Sequence, residues 1–108
     1  MNKFEVILLI SPEISNSILK DNLKNFEEII KNDEGTIKNT EDWGLRDLSY
    51  DIHNFKKAFY RYYQLEIDGS NIKKITKNIN QNDNIIRHLF IKVDEHQELP
   101  TKLNYEKN

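Results

Sequence analysis

The sequence predicts an α+β fold in which a four-stranded antiparallel sheet carries two helices on one of its faces. Three observations lead to this prediction. Apolar residues alternate at period two in four segments and recur at helical spacing in two others. These segments follow the order β-α-β-β-α-β, which is the order of the split βαβ, or ferredoxin-like, sandwich. The two middle strands form a hairpin, and right-handed crossovers in both halves place the two helices on the same side of the sheet.

The first half of the chain contains a strand, a helix and the first strand of the hairpin. An alternating segment predicts the first strand over residues 4–10, and an apolar stripe predicts the first helix from about Ile14 to Lys31. Gly35 follows this helix, where a left-handed C-terminal cap is expected. The second strand is predicted from about Thr36 to Ile52, with a bulge or bend at Gly44, because glycine inside a strand pattern often marks one.

The second half completes the sheet and adds a shorter helix. The third strand is predicted from Lys57 to Ile67, and the fourth from Ile85 to Val93, with the second helix between them. We expect residues 1–94 to form one domain and the polar residues 95–108 to form a flexible C-terminal tail. The core between helices and sheet is predicted to contain Val6, Leu8, Leu23, Phe26, Ile30, Tyr63, Leu65, Ile75 and Ile79.

The composition excludes several classes of protein. The 108 residues contain no cysteine, which excludes disulfides, thiolate metal ligands and thiol catalysis. The apolar run from Val6 to Ile10 is too short to cross a membrane, which takes about 20 residues, and no signal-peptide cleavage site follows it. We therefore expect a cytoplasmic protein that does not bind membranes. The formal net charge of −2 argues against broad attraction to nucleic acid but not against a local basic patch.

The sheet face opposite the helices, here called the open face, is predicted to be apolar. Strand parity assigns Ile7 and Leu9 of the first strand, and Tyr60 and Tyr62 of the third, to this face. Together with one side of the last strand they form a contiguous apolar patch, which on a small protein is typical of an interaction site. The alternatives are partial cover by the C-terminal tail, or aromatic rings that only shield the sheet.

No arrangement of residues points to catalysis or to a bound cofactor. His53, His88 and His96 do not have the spacing of metal ligands, and neighbouring acidic residues point to different sides of an element. The third strand matches the aromatic RNA-recognition signature only weakly, because Arg61 stands where an aromatic residue belongs and Tyr60 where a small one belongs. We expect no enzymatic activity, no cofactor and no metal ion.

Five short segments in register resemble one known family. They are Phe4-Glu5-Val6, residues 41–46, residues 48–52, Lys57-Ala58-Phe59-Tyr60 and residues 82–87. In this order and spacing they resemble the bacterial small-subunit ribosomal protein numbered six in the S series, over roughly residues 2–93. One departure is Asp51, where the family usually has proline, so the hairpin is expected to be less rigid here.

The resemblance implies a split βαβ fold without catalytic activity and a place on the cytoplasmic ribosome. It also implies two partners. The family binds the central domain of small-subunit ribosomal RNA as a pair with the S-eighteen ribosomal protein. A mildly acidic member that depends on a basic partner for much of its RNA affinity would account for the net charge of −2. We expect a monomer when the protein is free and a heterodimer with that partner.

Two sets of residues are candidates for these interactions. The partner-binding set is Ile7, Leu9, Trp43, Tyr50, Tyr60 and Tyr62, since aromatic side chains are frequent interface anchors; Trp43 alternatively only packs the base of the hairpin. The RNA-binding set is Lys3, Arg46, Arg87 and Lys92. Of these, Lys3, Arg87 and Lys92 are expected to form a small basic edge for phosphate contacts, with Lys92 at a separate point of contact towards the far end of the fourth strand. Arg87 matches a basic position of the family motif, Arg46 suits either partner, and ordinary solvated charges are the alternative for all four.

A second hypothesis comes from a different class of function. The same architecture serves regulatory or small-molecule-sensing domains that form homodimers through their open sheet faces. An apolar open face suits either use, so the residues alone leave both hypotheses standing.

Overall fold

The observed elements follow the predicted order. The structure, a computed structural model, describes residues 2–99. A short 3-10 turn, Gly69–Asn71, leads into the second helix. The strands are β1 (Asn2–Ile10), β2 (Thr36–Ile52), β3 (Phe55–Ile67) and β4 (Ile85–Val93), and the helices are α1 (Asn16–Asn32) and α2 (Ile72–Asn80). Both the fold class and the order β-α-β-β-α-β are confirmed.

The strands form one antiparallel sheet in the order β2-β3-β1-β4. The two central strands are therefore β1 and β3, and the edges are β2 and β4. The β1–β3 pairing ends at Ile10 and Phe59, whereas the β2–β3 hairpin continues to Ile52 and Phe55. The hairpin beyond this point, residues 45–58, is called the arm below, because it extends past the end of β1.

The core lies between the helices and one face of the sheet, as predicted. Phe26 of α1 packs on Tyr63 of β3 with 4.9 Å between the ring centroids. The Tyr63 hydroxyl reaches the edge of this layer and donates a 3.1 Å hydrogen bond to Glu27 Oε2. All nine predicted core residues are buried in a single cluster, which also contains Phe4, Ile10 and Ile67.

The two ends of α1 are terminated in different ways. Ser15 is the N-cap, and its Oγ accepts a 3.3 Å hydrogen bond from the backbone nitrogen of Ile18. At the other end the prediction of a left-handed Gly35 is wrong, because Glu34 has the positive φ of 62°. Glycine is needed at 35 for a different reason. A Cβ there would lie 2.8 Å from Ile30 Cγ2 and 2.9 Å from Ile67 Cδ1.

The hairpin is shaped by a bulge and a tight turn. Gly44 has a φ of 75° and lies where the β2–β3 register shifts, so the bulge predicted there is confirmed. His53 and Asn54 both have positive φ values, 51° and 68°, as a two-residue type I′ turn requires. Ile52 and Phe55 pair directly across this turn.

The predicted C-terminal tail lies mostly outside the described residues. Residues 95–99 are described, and residues 100–108 are not. The tail's flexibility therefore stays a prediction.

Candidate protein and RNA interface

The pairing register decides which side chains share the open face. Ile7 of β1 lies directly between Tyr62 of β3 and Leu89 of β4. Directly paired residues point to the same side of a sheet, so these three side chains form a row across the open face. By the same register the face is lined by Lys3, Glu5, Ile7 and Leu9 of β1, by Tyr60, Tyr62, Gln64 and Glu66 of β3, and by Arg87, Leu89, Ile91 and Val93 of β4.

Trp43 covers the part of the open face that β3 forms. The bulge at residues 42–44 leaves Trp43 without a paired residue on β3. Its indole stacks on Tyr62, with 5.2 Å between centroids and 11° between ring planes, and on Tyr60, at 6.3 Å and 25°. Nε1 of Trp43 donates a 2.8 Å hydrogen bond to Glu41 Oε1. The indole can therefore be buried without leaving its polar atom unsatisfied.

Arg46 stacks on the same indole. Its guanidinium carbon lies 5.5 Å from the centroid of the Trp43 ring, within the range of a cation–π interaction. Its Nε donates a 3.0 Å hydrogen bond to the backbone oxygen of Trp43. The side chain is thus held in one orientation at the base of the arm.

Three residues of the partner-binding set, Leu9, Trp43 and Tyr62, are buried within the chain and form no exposed surface. Only 2% of Tyr62 and 6% of Trp43 are exposed, because the indole lies on the tyrosine ring, and Leu9 is buried as well. Burial raises the pKa of Tyr62 to about 12, because a phenolate would lose its hydration there. Trp43 thus packs against the sheet at the base of the arm, which was the alternative for this residue. Tyr60 remains partly exposed.

An exposed apolar patch remains on the other half of the open face. Leu89 is 51% exposed and Ile91 44% exposed, and the half-buried Ile7 lies beside them on β1. These three residues are called the exposed patch below. Sequence analysis found Ile7 but could not name its neighbours, because both parities of the run from Ile85 to Val93 are largely apolar.

A polar cluster of Glu5, Gln64 and Gln97 lies on the open face, towards the end of β1 that is far from Arg87. The backbone nitrogen and Nε2 of Gln97 donate hydrogen bonds of 3.1 and 2.9 Å to the two carboxylate oxygens of Glu5. Nε2 of Gln64 donates to the Gln97 carbonyl oxygen at 2.8 Å and to the Tyr62 hydroxyl at 3.0 Å. The buried Glu5 and Gln64 therefore have partners. No local sequence signal indicates this cluster, since Gln97 and Glu5 are 92 residues apart.

Tyr50 and Arg87 meet at a corner of the face. Nη1 of Arg87 donates a 2.7 Å hydrogen bond to the Tyr50 hydroxyl, and both side chains are exposed. Arg87 was predicted to bind RNA and Tyr50 to bind the protein partner, so the two predicted sets meet at this corner.

The structure does not bring Lys3 and Arg87 together into one basic edge, and Lys92 is separate from both, as its expected distant position allowed. Arg87 lies opposite Leu9, and Lys3 lies at the other end of β1, about 20 Å away at the rise of a β-strand. The register places Lys92 on the helix side of the sheet instead. Lys3 is also engaged: its Nζ donates a 2.9 Å hydrogen bond to Glu95 Oε2, which raises the pKa of Lys3.

The open face is equipped for binding. It combines exposed apolar area, a fixed aromatic stack and the exposed Arg87 at one corner. Within residues 2–99, no group of three or more His, Asp or Glu side chains has an arrangement that could hold a metal ion. Among the same residues, no helix has the length and apolar character needed to span a membrane.

Comparison with known sequences finds relatives along almost the whole chain. Residues 3–92 match the family described as ribosomal protein S6. The chain is 35% identical over 103 residues to small ribosomal subunit protein bS6 of Rickettsia felis, covering 95% of this chain and 85% of that protein. It is 29% identical over 96 residues to the bS6 protein of Christiangramia forsetii, covering 89% and 86%.

Two solved structures share the fold. The crystal structure of 30S ribosomal protein S6 from Thermotoga maritima superimposes with a TM-score of 0.82 at 22% identity, over 85% of this chain and 87% of that one. The C-terminal domain of the MgtC protein from Mycobacterium tuberculosis gives 0.57 at 6% identity, over 90% and 93%. At such low identities the likeness concerns the fold alone.

Proposed function

The chain belongs to the ribosomal protein S6 family, and we propose that it binds the central domain of small-subunit ribosomal RNA together with the S-eighteen ribosomal protein. Membership of the family makes it a structural protein of the small subunit of the cytoplasmic ribosome, and not an enzyme. We further propose that residues 1–94 are the ribosomal protein domain and residues 95–108 its tail, and that the free protein is a monomer.

The exposed patch is the observation that supports binding of a protein partner. Leu89 and Ile91 lie on the edge strand β4, point away from the core and stay about half exposed, next to Ile7 of the central strand β1. Burying such a surface contributes about 25 cal/mol per Å² of apolar area. A basic partner also suits a chain with 18 acidic and 16 basic residues.

The residues of the partner-binding set fall into two groups, those that are accessible and those that are buried. Ile7, Tyr60 and Tyr50 are accessible and contact the partner directly. Leu9, Trp43 and Tyr62 are buried by other residues of the chain, so they hold the accessible residues in position without touching the partner. The Trp43 stack fixes Tyr60 and Arg46 before binding, which lowers the entropy lost on association.

The RNA contact is assigned mainly to the corner of Arg87 and Tyr50. A guanidinium has five N–H donors, and the bond to Tyr50 uses one of them. The remaining donors suit phosphate oxygens, which position a protein on RNA without reading its sequence. Arg46 is a second cation of this surface, while Lys3 and Lys92 lie too far from the corner to share one contact with Arg87.

A double substitution tests the partner surface. Leu89→Ser combined with Ile91→Ser should weaken the heterodimer with the S-eighteen protein by about tenfold or more, equivalent to about 1.4 kcal/mol. Isothermal titration calorimetry measures this affinity. Ile18→Ser is the matched control, because Ile18 on α1 is 44% exposed, the same as Ile91.

The Ile18→Ser control distinguishes a specific loss of partner binding from a general effect of replacing an exposed apolar residue. Far-UV circular dichroism and thermal melting must show that all variants fold. Unchanged affinity in the Leu89/Ile91 variant, or an equal loss in the Ile18 variant, would reject the open face as the partner surface. No observation favours the alternative of a ligand-sensing homodimer, and size-exclusion chromatography of the free protein tests it directly.

A further inference from the structure

The outer side of α2 carries an uncompensated positive charge. Residues 69–82 contain three lysines and no acidic residue, in a protein whose net charge is −2. One of the three, Lys74, is neutralised by Asp33, with 3.1 Å between Nζ and Oδ1. Lys73 and Lys77 are exposed, and neither forms an ion pair with any described residue from 2 to 99.

These two lysines belong to one stripe. Lys73, Lys77, Asn80 and Gln81 are spaced at i, i+4, i+7 and i+8, so they lie along the same side of the helix. All four side chains are exposed, and the stripe is about 12 Å long at the rise of an α-helix. The opposite side of α2 packs into the core through Ile75 and Ile79, which fixes the stripe on the outer surface of the helix layer.

The charge pattern of α2 favours Lys77, which lies in the last turn, but sets it against Lys73 one turn earlier. Like charges at i and i+4 destabilise a helix by roughly 0.2–0.5 kcal/mol. The first turn of α2 contains no acidic residue and Asn71 makes no side-chain capping bond; the acidic cap of this segment is Asp68, at the start of the preceding 3-10 turn. Helix α1 has a lysine pair at the same spacing, Lys20 and Lys24, but it balances its three lysines with three acidic residues and is capped by Ser15. A like-charged pair that lowers the stability of a helix and has no acidic residue beside it is typical of a functional surface.

We propose that the stripe of Lys73, Lys77, Asn80 and Gln81 binds the phosphodiester backbone of ribosomal RNA, which deepens the proposed function and rests on it. The lysines neutralise phosphates as point charges, and the two amides donate hydrogen bonds to phosphate or ribose oxygens. The stripe lies on the helix side, opposite the exposed patch. The protein therefore contacts its protein partner through one face and RNA through the other, in addition to the Arg87 corner.

The test compares two charge-matched double variants. Lys73→Gln with Lys77→Gln removes the stripe cations; Lys20→Gln with Lys24→Gln removes two exposed lysines at the same i, i+4 spacing on α1. Each variant is loaded with the S-eighteen protein, and its binding to a transcript of the central domain of small-subunit ribosomal RNA is measured at several salt concentrations. The slope of log K against log salt should fall by about 1.4–1.8 for the α2 variant and stay unchanged for the α1 variant.

Each outcome is decisive. An unchanged slope for the α2 variant, or an equal fall for both variants, overturns the stripe while leaving the Arg87 corner intact. Failure of the wild-type complex to bind the transcript overturns both the proposed function and this inference. As a second readout, acetylation of assembled small subunits followed by mass spectrometry should find Lys73 and Lys77 protected relative to Lys20 and Lys24; equal modification of the two pairs contradicts the proposal.

Discussion

The guanidinium of Arg87 donates a 2.7 Å hydrogen bond to the hydroxyl of Tyr50, although the two residues lie on opposite edge strands of the sheet. Two central strands separate β2 from β4, so the arm must bend across the sheet beyond the end of β1 for Tyr50 to reach Arg87. The bulge at Gly44 supplies part of this bend. A cation on one edge of the sheet is thereby oriented by an aromatic residue from the other.

Substitution of Arg87 should change RNA binding in a specific way. Arg87→Ala removes one phosphate contact, so the salt dependence of RNA binding by the partner-loaded complex should become shallower by about one charge. Tyr50→Phe keeps the cation but frees it from its hydrogen bond, so affinity should fall while the slope is retained. Filter binding over a salt series measures both. An Arg87→Ala complex with the wild-type slope would remove this residue from the RNA site.

Truncation of the core should be costly. Leu65 lies fully buried in the core cluster, and Leu65→Ala should lower the free energy of unfolding by about 2–5 kcal/mol through lost burial and a residual cavity. Leu45→Ala, at a largely exposed position of the arm, should change it by less than about 0.5 kcal/mol. Urea denaturation compares the two. A Leu65 variant as stable as the Leu45 variant would contradict the assigned packing.

The two special glycines should respond differently to asparagine. Gly44 needs a positive φ but has open space around a Cβ, so Gly44→Ala should cost about 1–2 kcal/mol of strain, and Gly44→Asn less, because asparagine tolerates this conformation. Gly35 is crowded by Ile30 and Ile67, so Gly35→Asn should destabilise more than Gly35→Ala. Thermal melting of the four variants gives the order, and the reverse order at either glycine would refute its assigned role.

Stability should fall at high pH because of Tyr62. Its folded-state pKa is raised to about 12 by burial, so the unfolded chain releases this proton first. The contribution of Tyr62 to the free energy of unfolding should therefore stay constant below about pH 10, the ordinary tyrosine pKa, and decline as the pH rises from there through about 12. Burial raises the pKa of Tyr63 as well, so Tyr62→Phe should weaken the decline without abolishing it. An identical decline in wild type and variant would mean that the folded state does not hold the Tyr62 proton.

Much of the fold could be predicted because it is encoded in local patterns. The alternation in β1 and β3 correctly separated Val6 and Tyr63, which face the helices, from Ile7 and Tyr62, which face away. Gly44 correctly marked the bulge. Gly35 was correctly singled out, but for the wrong reason: the turn puts Glu34 in the left-handed conformation, and the packing of Ile30 and Ile67 requires glycine at 35.

The candidate site was less predictable, because it depends on contacts between distant segments. Parity placed Tyr62 on the open face but could not reveal that Trp43 would lie on it, since that contact depends on the bulge and the bend of the arm. The pairing of Gln97 with Glu5 spans 92 residues and has no local signal.

By itself, the sequence determined the order of elements, the face of each central strand that enters the core, and the resemblance to the family. These follow from periodicity and turn chemistry, which act within a few residues of one another. Only the tertiary structure decided which part of the open face stays exposed, that Lys3 and Arg87 lie at opposite ends of β1, and that Tyr50 meets Arg87. The physical reason is that exposure depends on register, twist and the path of the arm, which are set jointly by strands far apart in the chain.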